Sequence, residues 1–207
     1  MVMSTWLQNA KENLLPLSDS NEFMIAKKEW MYVGLMENED ANFNCELCGH
    51  PAIRYEYTIQ NRLNQNQMIV GSSCIEKFID QLAETQDNFY DINNEIVDKS
   101  RLVGDKQNYW TDILFRSLEN NFSNTEFQKD ITEQIKVDGH LTINQAKFLR
   151  HFYDKLNDNE QMAFKYIVSI KLRKDKQKEQ YTALRGSDKA FIDMLLSPQQ
   201  RNIINEL

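Results

Sequence analysis

From Ile53 to Asn61 apolar and polar residues alternate one by one, with Ile53, Tyr55, Tyr57 and Ile59 set against Arg54, Glu56, Thr58 and Gln60. Period-two alternation in β-branched and aromatic residues is the pattern of a strand with one buried face. The polar run NRLNQN then reads as a turn, Gln67–Val70 as the returning strand, and Gly71 as its end. Beyond it the period changes. Ile75, Phe78, Ile79 and Leu82 recur at helical spacing, and Ser73 followed three residues later by Glu76 forms a potential capping box that puts Cys74 at the first helical position.

Most of the remaining chain carries helical periodicity. Ser4 to Leu15 reads as a short helix with an N-cap at Ser4 and a stop at Pro16. Ser18, Asp19 and Ser20 offer caps for a second helix with Phe23, Ala26, Trp30 and Val33 on one face, ending at Gly34. Trp30–Met36 fits equally well as a strand beside the hairpin. From Glu84 to Asp105 a thin stripe of Phe89, Ile92, Ile96 and Leu102 runs through an acidic stretch that reads as helix or linker. Tyr109, Trp110, Ile113, Leu114 and Leu118 then mark an amphipathic helix ended by Asn120 and Asn121. A weaker helix is expected over Asn124–Lys136, broken at Asp138 and Gly139. Thr142 and Gln145 form a second capping box ahead of Ala146, Leu149, Phe152, Tyr153 and Leu156. A helix capped by Asp158 or Asn159 is expected to run on through the basic stretch after Lys165. Two more start at Ser187–Asp188 and Ser197–Pro198. The aromatic residues Trp110, Phe115, Phe148, Phe152, Tyr153 and Phe164 fall at core spacing.

The pattern predicts an α+β fold, predominantly α-helical: residues 1–100 as N-terminal helices plus a small module with its core at 44–82, and residues 101–207 as a helical domain. Only 6 Gly and 3 Pro in 207 residues weigh against an all-β fold, and 41% hydrophobic with 27% charged residues is an ordinary globular composition. No apolar run approaches the roughly 18 residues of a membrane span. Polar residues come too early in MVMSTWLQNAKENLLP for a signal-peptide core, so a cytoplasmic protein is expected.

All three cysteines lie around the hairpin: Cys45 and Cys48 before it, Cys74 after it. An odd number with a C-x2-C pair fits a reducing compartment and metal binding better than a disulfide framework. Two sulfurs converge from one turn, where Gly49 lets the backbone fold back, and the hairpin returns Cys74 to the same end. There the amino end of a helix favours its thiolate. A C-x2-C turn, a hairpin and a helix opening on a third Cys is the layout of a treble-clef-like zinc finger. Zinc is therefore the expected cofactor, with Cys45, Cys48 and Cys74 as ligands and His50 as the nearest candidate for the fourth. Glu46, Glu76, Asp80 or a water are fallbacks; His140 and His151 lie in the helical half. The bland alternative is that three cysteines are simply small buried residues.

These residues also resemble a known group. CELCGH with Pro51 and Ile53, then Tyr57-Thr-Ile-Gln-Asn61, then Val70-Gly-Ser-Ser-Cys74 and Phe78 resemble the core of largely uncharacterised phage- and plasmid-borne zinc-binding proteins. Their shared pattern is CxCG or CxxCG, an aromatic strand ending in Asn, and VGSxCxxxF. Ala26–Trp30 and LTINQAKFL at 141–149 are similar to segments flanking that core. The resemblance implies a zinc-binding protein of a mobile element acting in a bacterial cytoplasm, and brings no activity with it.

Charge adds the last element. The net charge is −7, yet Lys165, Lys171, Arg173, Lys174, Lys176 and Lys178 face one acid, Asp175, within fourteen residues. Removing those six and one from the totals of 24 and 31 leaves 18 against 30, or −12 elsewhere. Such a stripe beside Tyr166 and Tyr181 is suited to phosphates and bases, although a solvated helix face is the plainer reading. No Gly-rich phosphate loop, G-x-S-x-G, HExxH or zinc-deaminase signature is present, so no catalytic residues or small-molecule substrate are expected. Two functions follow: a non-enzymatic zinc protein contacting nucleic acid through the zinc module and the basic stripe, or an acidic phage protein that inhibits a basic host partner such as a defence nuclease, in anti-CRISPR manner.

Overall fold

The computed structural model describes residues 5–122 and 124–205. It is α+β, with ten α-helices among the described residues, a three-stranded antiparallel sheet and a two-stranded parallel one. The chain divides into two compact units, Met1–Tyr109 and Trp110–Leu207.

In the first unit, α1 (Thr5–Leu14) ends in a single 3-10 turn around Pro16; the Ser4 cap lies outside the described residues. The second helix is one turn long. α2 (Phe23–Ala26) and a 3-10 turn lead straight into β1 (Trp30–Glu37), so the expected helix through Val33 is replaced by the strand alternative. The cause of the misreading is visible. Trp30 and Tyr32 point inward and Val33 is exposed, as strand alternation requires, and the bulge between Tyr32 and Gly34 shifts the register beyond it. Val33 falls at helical spacing from Phe23, Ala26 and Trp30 without sharing their buried side.

β2 (Tyr55–Asn61) pairs with β1 and with β3 (Gln67–Gly71), in the order β1-β2-β3. Ile59 sits opposite Tyr32 on one side and Met68 on the other, and Tyr57 sits opposite Val70. This face is buried with Trp30 against Ile75, Phe78 and Leu82 of α3 (Ser72–Ala83). α3 follows β3 without a loop. Gly71 is its N-cap, so Ser73 is already helical, the Ser73–Glu76 box does not form, and Cys74 is the third helical residue rather than the first.

Buried polar groups fix the hairpin to what precedes it. Glu29 accepts hydrogen bonds from Asp19 N at 2.7 Å, Ser20 N at 2.8 Å and Asn61 Nδ2 at 2.8 Å, while Asn61 Oδ1 accepts from Leu63 N at 2.8 Å in the turn. Lys27, wholly buried, donates to the Gln81 carbonyl near the end of α3, and Trp30 Nε1 donates to Ser18 Oγ at 2.9 Å. Burial lowers the Lys27 pKa, with Glu84 and Asp87 opposing.

Residues 84–98 are neither helix nor loose linker. Tyr90 bridges to Ile96, Tyr32 N donates to Tyr90 O, and Asp91 Oδ1 accepts from Asn93 N and Glu95 N. Phe89 is buried, whereas Ile92 and Ile96 are exposed, which breaks the expected stripe. Helix returns with α4 (Lys99–Asn121), inside which the division between units falls.

The second unit contains α5 (Glu126–Asp138), β4 (His140–Leu141), α6 (Ile143–Tyr153), α7 (Asp158–Ile167), β5 (Ser169–Ile170), α8 (Asp175–Thr182), α9 (Gly186–Met194) and α10 (Pro198–Asn205). Capping boxes open α5 (Thr125/Gln128), α6 (Thr142/Gln145) and α7 (Asn157/Glu160), the last one residue before the expected cap. β4 and β5 pair in parallel, Leu141 opposite Ile170. That pairing ends α7 at Ile167, so the helix does not continue into the basic stretch. Trp110, Leu114, Leu118, Ile131, Leu149, Phe164 and Ile192 form the core. Phe148, expected among them, is 46% exposed and packs edge-on against Phe122 and Phe127.

Candidate metal centre

Cys45 and Cys48 sit in a tight turn ahead of β2. Gly49 N donates to Cys45 O at 2.7 Å, Cys45 N donates to His50 O at 2.8 Å, and Gly49 takes φ +75°, a conformation open to glycine without strain. Glu46 N donates to Ile69 O at 2.9 Å and its carboxylate accepts from Ile69 N, so the turn is docked on β3. Cys74 arrives in the first turn of α3, where the positive end of the helix favours thiolate.

The three sulfurs lie within 4.8 Å of one another, with Cys48 Sγ and Cys74 Sγ 2.9 Å apart, and all three cysteines are free. Cys45 and Cys74 are buried; Cys48 is half-buried. Three thiols so arranged could hold a metal ion. Among the described residues no imidazole or carboxylate joins the sulfurs within that distance. His50 lies in the same turn with an exposed side chain, and its carbonyl closes the turn. Asp80 pairs with Lys99 at 2.8 Å, and Glu76 is exposed on α3.

Two N–H groups point at the sulfurs. Gly71 N donates to Cys45 Sγ at 3.4 Å and Trp6 Nε1 donates to Cys74 Sγ at 3.2 Å. Gly71 also has no room for a side chain, since a Cβ there would stand 2.9 Å from Ile53 Cγ2. The Cys45 and Cys74 thiols shift in opposite directions. The hydrogen bond from Cys74 lowers the Cys45 thiol to about 5, helped by Gly71 N–H and opposed by burial. Cys74 moves the other way, because its bond to Cys45 retains its proton and burial adds to the effect, together outweighing the Trp6 N–H that favours its thiolate. Cys45 is thus the sulfur most ready to act as a thiolate ligand.

The sequence pattern did not reveal the part played by α1. Trp6, Asn9 and Asn13 occupy one face of that helix and all address the cysteine turn or its partner: Asn9 Nδ2 donates to Cys48 O at 3.0 Å and Asn13 Nδ2 to Leu47 O at 3.2 Å. Lys77 Nζ stands 5.7 Å from the Trp6 ring. The spacing i, i+3, i+7 was the available signal, but read by hydrophobicity it is only a polar helix face.

The basic residues are not one helical stripe. Lys165 is on α7, Lys171, Arg173 and Lys174 follow β5, and Lys176 and Lys178 are on α8. Lys171, Arg173, Lys174 and Lys178 line one groove, whereas Lys165 and Lys176 do not contribute to it. No helix among the described residues is long and apolar enough to cross a membrane. Compared with protein-family models, curated proteins and solved structures, the chain matches none.

Proposed function

We propose that this is a non-enzymatic zinc-binding protein in which Cys45, Cys48 and Cys74 hold a structural zinc ion and the basic residues of segment 165–178 contact nucleic acid. The observation that carries the zinc reading is the convergence of three thiols on one point from a turn and a helix start. The donor set fits. Thiolates select zinc among the common divalent ions, and zinc–sulfur bonds of roughly 2.3 Å in a tetrahedron put sulfurs about 3.8 Å apart. These sulfurs are held within 4.8 Å of one another, and Cys48 and Cys74, 2.9 Å apart, would separate by about 0.9 Å to seat the ion. The N–H groups of Gly71 and Trp6 would offset thiolate charge when zinc is bound. His50, in the same turn, is our candidate for the fourth position, ahead of Glu46, Glu76, Asp80 or water. A closed four-ligand site gives zinc a stabilising role, since a catalytic ion keeps a position open for water. In our reading the turn, hairpin and α3 form a treble-clef-like module, and the resemblance to mobile-element proteins supports action in a bacterial cytoplasm.

Zinc content and thermal stability of Cys74→Ser test this directly. We expect loss of the ion and unfolding of the 44–82 module, because binding free energy at such a site is folding free energy. A variant that keeps one zinc per chain and its melting temperature contradicts the site as drawn.

Charge favours a second reading. Outside segment 165–178 the balance is 18 basic against 30 acidic residues. Such a body can compete for the basic channel of a host partner, for instance a defence nuclease. Charge reversal at Arg173, Lys174 and Lys176 separates the two: nucleic-acid binding is lost under the first reading, and partner inhibition survives under the second.

A further inference from the structure

We infer that the groove bounded by β5 and the amino ends of α8 and α10 is a phosphate site that takes the backbone of a single nucleic-acid strand. This rests on the nucleic-acid reading above and narrows it to four of the six cations, with two further groups from distant parts of the chain. The groove encloses about 770 Å³ and is lined by Lys171, Arg173, Lys174, Lys178, His140 and Ser197. Among the described residues no Asp or Glu lines it, in a chain with 31 acids and 24 bases. The cations therefore line the cavity while their nearest acids, Asp138 and Asp175, stand outside its lining.

The groups are held in place. Gln177 Oε1 accepts from Arg173 N at 2.8 Å and Lys174 N at 2.9 Å, fixing the loop between β5 and α8. Lys174 is the N-cap of α8, and Ser197 Oγ accepts from Gln200 N at 3.2 Å in the first turn of α10. The positive ends of two helices thus add to the field of the four cations. Gln200 Nε2 donates to Ile170 O at 2.6 Å, tying α10 to β5 across the groove.

The two nearby acids compete weakly. Asp138 pairs with Lys171 at 3.1 Å and Asp175 with Lys178 at 3.6 Å, and both carboxylates are solvent-exposed. Such exposed pairs contribute little and yield readily to a phosphate with its own charge. Arg173, exposed at the mouth, brings the fork suited to two phosphate oxygens. Ile203, 41% exposed, offers an apolar edge to a sugar or base. A concavity of this volume is in the range of ligand sites, and four cations beside an apolar edge suit a strand whose bases are unpaired.

The test is fluorescence anisotropy with the zinc-loaded full chain and labelled oligothymidine, oligouridine and a DNA duplex over a range of salt, with inorganic tripolyphosphate as competitor. Four phosphate contacts predict a log–log salt slope of about −3 on a single strand. Arg173→Gln/Lys174→Gln should lower that slope in magnitude by about half and weaken binding, while Lys165→Gln/Lys176→Gln leaves slope and affinity unchanged; circular dichroism checks that both variants fold. Tripolyphosphate competing as well as the oligonucleotides at equal phosphate would overturn the strand and leave a small-anion site. Tighter duplex binding overturns the single-strand assignment. If the 165/176 pair carries the effect and the 173/174 pair does not, the groove is wrong and the nucleic-acid reading stands. No binding at low salt removes both.

Discussion

The indole of Trp6 donates its Nε1–H to the sulfur of Cys74 at 3.2 Å, joining residues 68 positions apart. A neutral N–H aimed at a sulfur stabilises thiolate over thiol, and Gly71 N does the same for Cys45. The cysteine cluster is therefore supported by α1 as well as by the hairpin and α3. Trp6→Phe keeps most of the packing and removes the donor. Zinc affinity, measured by competition with a chromophoric chelator, should fall by roughly 10- to 100-fold, the usual cost of losing an outer partner of a ligand. Unchanged affinity with a lower melting temperature would reduce the indole to a packing group.

Asn61 is wholly buried at the end of β2 and satisfies Glu29 with one end of its amide and the hairpin turn with the other. Glu29 is itself buried, at 7% exposure. Asn61→Ala leaves that carboxylate one donor short, and hydrogen bonds to buried charged groups carry the largest penalties when broken. We expect a loss of about 3 kcal/mol in urea unfolding at unchanged m value. A loss below about 1 kcal/mol would mean that the turn holds without it.

The contrast between what the chain displayed and what it concealed follows from the range of the interactions. The alternation in Ile53–Asn61 and the box Thr142/Gln145 are local, and they formed as a strand from Tyr55 onward and as a cap. Ser73/Glu76 has the same spacing as Thr142/Gln145 but lies one residue inside a helix, because β3 enters α3 directly at Gly71. Nothing within a few residues encodes that. The convergence of Cys45, Cys48 and Cys74 was legible because a hairpin must return its ends to one place. The role of Trp6, Asn9 and Asn13 was not, since their partners are 34 to 68 residues away and include backbone carbonyls, which have no residue type. Val33 lies at helical spacing from Phe23, Ala26 and Trp30, but it stands on the exposed face of β1, and which face a strand buries is set by its sheet partners.

Tyr57 offers a pH test. It is 3% exposed, and burial pushes its hydroxyl up to about 12, with a hydrogen bond from Ser72 opposing. The ordinary value is 10.0. A folded-state value above the unfolded one means the folded state holds the proton more tightly. The contribution is complete below pH 10 and is lost as pH rises through 12. Stability to urea should therefore decline between those limits. Tyr57→Phe, with no proton to lose, should decline less steeply over the same window. Identical slopes for the two proteins would place the titration elsewhere, with Tyr32, also raised by burial, the next to replace.

Gly71→Ala separates ligand loss from ligand support. The variant keeps Cys45, Cys48 and Cys74, but its new methyl meets Ile53 Cγ2 at 2.9 Å and Cys45 Cβ at 4.0 Å. Ile53 is buried and β-branched, so it cannot swing the methyl aside without leaving its rotamer well, and overpacking of this kind costs about 1–3 kcal/mol. The same displacement moves the Gly71 N–H away from Cys45 Sγ. Both stability and zinc affinity should drop together. Ile53→Ala removes the obstructing methyl at the cost of a cavity, and in the double variant the two losses should add to less than their sum. That coupling, read from a double-mutant cycle on zinc affinity, identifies the contact as the route by which the hairpin sets the Cys45 thiolate. Strict additivity would leave Gly71 a backbone requirement with no hold on the metal centre.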